Sequence, residues 1–141
     1  MQLKSGKNYN YLLNQPEYKA GEGRPKLLRI EFSSEYTKVD FGYQTTSYYT
    51  RGGWVRMAGD AFIRIRQTGE KYTLTRADNI PIAPVHHHFN TSKDWLYYSL
   101  YFPAIALKNG LIDIIEVDPG DDSDFNYFDI EIDIKKIIEL M

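Results

Sequence analysis

The sequence predicts an all-β protein, a two-sheet antiparallel sandwich of seven to eight strands. Three observations point there. Apolar and polar residues alternate with a period of two again and again between Leu27 and Ile134, which places every second side chain on one face of a strand. Aromatic residues make up 15% of the chain and include 12 tyrosines, a composition that suits pleated, half-buried surfaces. Glycine, proline and Asx clusters interrupt the alternation every ten residues or so, leaving little room for helices.

The elements follow in order. Residues 1–26 are polar and punctuated by Gly6, Pro16 and the "AGEGRP" cluster, and read as an extended lead-in with one short turn of helix at 9–13. "LLRIEFS" (27–33) puts Leu28, Ile30 and Phe32 on one face, and "YTKVDFGYQT" (36–45) alternates Thr37, Val39, Phe41 and Tyr43 against Lys38, Asp40 and Gln44. "TTSYYTRGGWVRM" (45–57) carries a Gly-Gly turn and a short strand around Trp54 and Val55. "AFIRIRQTGEKYTLTRA" (61–77) is a hairpin with Gly69 in its loop. "DNIPIAP" (78–84), broken by proline, suits a sheet edge or a crossover.

"WLYYSLYFP" (95–103) divides into Trp95, Tyr97, Ser99 and Tyr101 on one face and Leu96, Tyr98, Leu100 and Phe102 on the other, the second set being the core face. "LIDIIEV" (111–117) and "FNYFDIEIDI" (125–134) close a meander. In "DIKKIIELM" the spacing of Ile134, Ile137, Ile138 and Met141 fits a short C-terminal amphipathic helix, so residues 135–141 read as the start of a helix or a linker. The domain proper is thus expected over 27–134, as an immunoglobulin-like sandwich, with a barrel as the alternative closure.

A formal net charge of −2 supplies no basic face for nucleic acid. The charge is uneven, however: residues 1–30 carry Lys4, Lys7, Lys19, Arg24, Lys26 and Arg29 against two acids, whereas residues 113–141 carry ten acids against Lys135 and Lys136. Two solvated regions of opposite sign that face each other are expected from this, with a charged partner as the alternative. Cysteine is absent, which excludes a disulfide scaffold, a thiol nucleophile and Cys-ligated zinc. No apolar run approaches membrane-spanning length and the first residues do not form a signal peptide, which favours a cytoplasmic location unless a signal has been removed.

The histidines are confined to "HHH" at 86–88. In an extended segment His86 and His88 share a side and offer two imidazoles to one metal, the basis for a metal-dependent hydrolase. A catalytic zinc needs a third ligand that the spacing does not supply, so a polar strand or loop edge with ordinary surface histidines is the simpler reading. "DPGDDSD" (118–124) lacks the glycine and glutamate positions of a calcium loop and reads as an acidic turn. Neither a nucleophile elbow nor a phosphate loop is present, and no cofactor or catalytic residue is expected. The binding candidate is "SYYTRGGWVR", where Tyr48, Tyr49 and Trp54 flank a turn bearing Arg51 and Arg56, residue types favoured at interfaces and as sugar-stacking platforms. The Trp95, Tyr97, Tyr101 face is an aromatic patch that calls for a partner if the second sheet leaves it uncovered.

The order of motifs resembles an immunoglobulin-like β-sandwich accessory domain of Bacteroidetes proteins, often placed before another domain. The matching residues are Trp54, Arg56, the hairpin's Gly69, Lys71, Tyr72 and Leu74, then "ADNI" (77–80), "LYFPAIAL" (100–107), "IDIIEV" (112–117) and "FNYFDI" (125–130), covering roughly 36 to 132. The resemblance implies a sandwich that serves a neighbouring domain or protein partner within a larger polypeptide, without catalytic residues. A carbohydrate- or small-ligand-binding sandwich using exposed aromatics is the alternative, and the histidine-based hydrolase a second one. The three histidines and the lead-in have no counterpart in the resemblance.

Overall fold

A computed structural model of the protein describes residues 9–21, 23–44, 53–55, 58–80, 87–89, 95–118 and 125–140. The described chain is all-β, with every strand pairing antiparallel and one 3-10 turn. Its strands are β1 (Asn10–Asn14), β2 (Lys19–Ala20), β3 (Lys26–Ser33), β4 (Thr37–Gln44), β5 (Gly53–Val55), β6 (Phe62–Ile65) and β7 (Lys71–Thr73). They continue as β8 (Arg76–Asp78), β9 (His87–Phe89), β10 (Trp95–Phe102), β11 (Gly110–Ile115), β12 (Tyr127–Ile132) and β13 (Ile138–Glu139). One sheet runs β13-β1-β3-β4-β10-β8 and the other β2-β12-β11-β6-β7, while β5 and β9 form a separate two-stranded ribbon. The two large sheets remain open rather than closing into a barrel.

Alternation explains the layering. In β10, Leu96, Tyr98, Leu100 and Phe102 are buried, the face expected from the sequence. They meet Val39 and Phe41 of β4 and Ile30 and Phe32 of β3 in one cluster with Ile63, Ile112, Ile114, Tyr127, Ile130 and Ile132 of the opposite sheet. Aromatic rings bridge the layers: Phe41 stacks on Tyr98 at 5.1 Å and tilts against Tyr127 at 5.2 Å. The Tyr127 hydroxyl finds its partner by donating to the Pro25 carbonyl at 2.6 Å. Burial pushes the Tyr98 and Tyr127 phenols well above their ordinary range, because the anion would lose its hydration.

The expected hairpin is β6–β7, closed by Gly69 at φ +78, whose N–H donates to the Ile65 carbonyl at 2.7 Å. From there the chain changes layer. The Leu74 N–H still bonds the Ala61 carbonyl of the five-stranded sheet, but the Thr75 N–H donates to the Tyr101 carbonyl, and β8 then forms an edge of the six-stranded one. The proline-broken "DNIPIAP" thus begins at an edge strand, as its composition predicts.

Both chain ends depart from expectation. Residues 9–13, expected to hold a turn of helix within a lead-in, are in strand β1, with Tyr11 and Leu13 fully buried and Asn10–Asn14 paired along β3. The helix expected near the C-terminus is a single 3-10 turn, Ile134–Lys136, capped by the Asp133 side chain accepting from Lys135 N–H, and then β13. The helical spacing misleads because Ile137 is buried in the core and Ile134 packs against it, while Ile138 points outward at 51% exposure and pairs with Leu12. Regular structure therefore runs from Asn10 to Glu139, beyond the expected 27–134. The strands absent from the expectation are β1, β2 and β13, all short.

The basic and acidic regions meet at one described ion pair. β2 pairs with β12, and Lys19 Nζ lies 3.3 Å from Asp129 Oδ2.

The assignment of faces on β10 predicts a sharp contrast. Leu100→Ala should lower unfolding free energy by about 2–5 kcal/mol through the cavity it leaves. Tyr97→Ala, on the other face, should cost less than about 1 kcal/mol. Urea denaturation of both variants checks this, and equal losses would mean the layers are misassigned.

Candidate interaction face

Of the residues singled out in the sequence, Tyr48, Tyr49, Arg51, Arg56 and His86 lie outside the described residues. Trp54 and His88 are brought together: they are register partners in the β5–β9 ribbon, with Val55 opposite His87 and Gly53 opposite Phe89. Two candidates read independently from the sequence thus occupy one ribbon. No group of three or more metal-ligating side chains forms among the described residues. Among those residues no helix is long and apolar enough to cross a membrane.

The third candidate, the aromatic face of β10, can be followed at Tyr97 and Tyr101, the Trp95 side chain lying outside what is described. The second sheet covers the opposite side of this strand, so Tyr97, Ser99 and Tyr101 lie on the outer face of the six-stranded sheet. Antiparallel pairing arranges their neighbours in rows. In the first row Tyr97 stands opposite Gly42, which in turn faces Lys26. A Cβ at Gly42 would meet Tyr97 Cε1 at 3.1 Å, so the glycine lets the ring lie close to the backbone while 61% of the residue stays exposed. Beside Gly42, Leu28 fills the irregularity in β3, where the register shifts between Leu27 and Arg29. At the other flank Asn79, at φ +64, donates its side-chain amide to the Tyr97 carbonyl at 2.6 Å.

The second row is polar. Asp40, 8% exposed, accepts from Arg29 Nε at 2.6 Å and from Ser99 Oγ at 2.5 Å, with Lys38 Nζ at 3.7 Å. Asp78 continues this row across β8. The third row sets Tyr101 between Lys38 and Arg76, with the Arg76 guanidinium 4.0 Å above the ring and paired to Asp78 at 3.2 Å. Tyr36 packs edge-on against Tyr101 at 5.5 Å and donates its hydroxyl to Glu31 at 2.7 Å. That hydrogen bond, with a smaller contribution from burial, raises the Tyr36 phenol to about 12, since ionisation would forfeit the bond and set two anions side by side.

The outer face of the five-stranded sheet is built differently, around the Asp113 carboxylate. Asp113 has no solvent exposure and accepts four hydrogen bonds: Arg64 Nε at 3.1 Å and Nη2 at 2.9 Å, Arg66 Nη1 at 3.3 Å and the Asp129 N–H at 2.9 Å. The last is the informative one. Between Ile112 and Ile114 the pairing of β11 with β12 slips by one residue, and Asp129 takes a left-handed φ of +54 at the irregularity. The bulge frees an N–H from the ladder, and a side-chain carboxylate satisfies it. Asp129 in turn binds Arg66 and Lys19, and Arg64 reaches Asp118 at 3.7 Å. The nearby Asp113 charge raises the Arg66 guanidinium still further above its ordinary range.

Asp113, Asp40 and Gly42 were not among the sequence candidates. A glycine inside a strand pattern signals close approach, so Gly42 had a readable cue. Asp113 did not, since its arginines lie in a different hairpin. Comparison of the chain with protein-family models, curated proteins and solved structures finds no match, and the accessory-domain resemblance rests on its motifs alone.

Removing the buried carboxylate leaves two arginines facing each other and a bulge N–H without its acceptor. Asp113→Ala should therefore cost about 3–5 kcal/mol in chemical denaturation. A loss under 1 kcal/mol would show that the bulge holds without it. At Tyr36 the folded-state phenol is raised above its unfolded value of 10, so its contribution to stability is complete below pH 10 and disappears as pH rises through about 12. In ultraviolet titration at the phenolate band, Glu31→Gln should move one tyrosine step from about 12 back towards 10; an unmoved step would assign it elsewhere.

Proposed function

We propose that the protein is a non-catalytic interaction module that engages a protein partner or neighbouring domain through the outer face of its six-stranded sheet. The observation that carries this reading is the Tyr97 ring, 61% exposed yet seated against Gly42 in the middle strands of a sheet, flanked by the Arg29–Asp40–Ser99 and Arg76–Tyr101 groups. A tyrosine held in place by its backbone neighbour presents apolar area at little cost in side-chain entropy, which is why tyrosine and arginine recur at binding hot spots. The carboxylate nearby supports a recognition role rather than a reactive one, because Asp40 is engaged by the Arg29 guanidinium. The accessory-domain resemblance points the same way.

A second reading, a carbohydrate-binding sandwich, is favoured by the same ring, since a fixed aromatic face bordered by hydrogen-bonding groups suits stacking of a sugar. The two readings separate in one set of measurements. A photo-crosslinking amino acid in place of Tyr97, expressed in the native host, should yield a discrete protein adduct that the same probe at Thr68 on the β6–β7 turn does not. Absence of any adduct together with glycan-array binding lost in Tyr97→Ala would replace the first reading by the second. Absence of both would sink the interaction face.

A further inference from the structure

Away from this face, at the end of the sandwich formed by the β6–β7 turn and the loop leaving β10, lies a cavity of about 60 Å³. Three adjacent strands of the five-stranded sheet make its floor: Ile65 of β6 is the register partner of Ile112 of β11, and Ile132 of β12 pairs with Gly110. Tyr72 and Leu111 extend the apolar surface, and Leu111 remains 41% exposed. Gly110 adds no wall, because the space where its Cβ would stand is open to at least 4 Å.

The rim is charged on both sides. Glu70 lines the cavity from the turn, its carboxylate oriented by the Tyr72 hydroxyl at 3.1 Å. Lys108 lines it from the loop. Neither forms an ion pair with a described residue, whereas the carboxylates and arginines of the two sheet faces are paired with one another. A small apolar recess with a few converging polar groups is the usual anatomy of a ligand site. The recess is open to solvent and shares Gly110, Leu111 and Ile132 with a shallower neighbour, so its isoleucine floor, rather than its volume, is what favours a short branched alkyl group.

The geometry points to a binding site for a free, branched aliphatic α-amino acid. The alkyl group meets the isoleucine floor, the α-carboxylate faces the Lys108 ammonium, and the α-ammonium faces the Glu70 carboxylate. Each charge on the rim has its complement on such a ligand, and a neutral or singly charged aliphatic molecule satisfies at most one of them. This site is independent of the Tyr97 face, on the other sheet, so failure of one reading leaves the other standing.

Leucine titrated into the full chain and followed by amide chemical shifts tests this. Saturable shifts at Ile65, Leu111 and Ile132 are expected with Kd on the order of 1 mM, the affinity open to so small a ligand. Glycine, which lacks the alkyl group, and 4-methylpentanamide, which lacks both charges, should bind at least ~10-fold more weakly. Ala106→Phe, at an exposed lining position, should abolish the shifts by filling the recess. Glu70→Gln and Lys108→Met should each weaken leucine ~10-fold, and they decide the matter if the phenylalanine variant does not fold. The proposal is overturned if leucine leaves those amides unshifted, if both charge variants bind as the wild type does, or if 4-methylpentanamide binds as tightly as leucine.

Discussion

The five-stranded sheet depends on a carboxylate that should not, on solvation grounds alone, be where it is. Burying an ion costs several kcal/mol unless its hydration is replaced group for group. Asp113 recovers it with three guanidinium N–H bonds and one backbone N–H, and in doing so it fixes the positions of β6, β11 and β12 together. The extra residue in β12 needs an acceptor for its displaced amide, and the acid needs donors. Each resolves the other's deficit. Lys19 then draws β2 onto the same knot through Asp129, so the edge of the sheet is held by charge as well as by its two ladder pairs.

The six-stranded sheet solves the reverse problem. Its outer face has an aromatic ring and several charges to hold at the surface, and it does so by using a residue with no side chain. Gly42 gives up packing of its own so that Tyr97 can rest on the strand, while Asp40 gathers Arg29, Lys38 and Ser99 around one carboxylate in the next row. One sheet thus carries an ionic knot and the other an exposed aromatic ring beside a charged row. Such a division of labour suits a module that must keep its shape while presenting one side.

Alternation made most of this architecture legible. The eight-residue strand β10 announced both its faces, and the hairpin around Gly69 followed from turn chemistry, because in each case the signal is local. What escaped was short or distant. β1 spans five residues with only Tyr11 and Leu13 turned inward, and β13 spans two, too few for any period to emerge from "DIKKIIELM". The core position of Ile137 is set by pairing with a strand at the other end of the sequence, and no local propensity encodes that. The Asp113 knot was hidden for the same reason, as its partners are separated from it by 47 and 49 residues on one side and 16 on the other. The meeting of Trp54 with His88 belongs to this class too: each was noticed, but their pairing is a property of register.

The position of β1 has a consequence for how the chain reaches its final form. It lies between β3, which follows closely in sequence, and β13, whose Glu139 pairs with Tyr11. On the ribosome its inner ladder can zip as soon as residues 26–33 emerge, but its outer amides must wait for the last segment. At ordinary translation speeds of about 5–20 residues per second, that is an interval of roughly 5 to 21 seconds. During that time a bare strand edge stays open to pairing with another nascent chain. Sealing it is the job of Ile138 and Glu139.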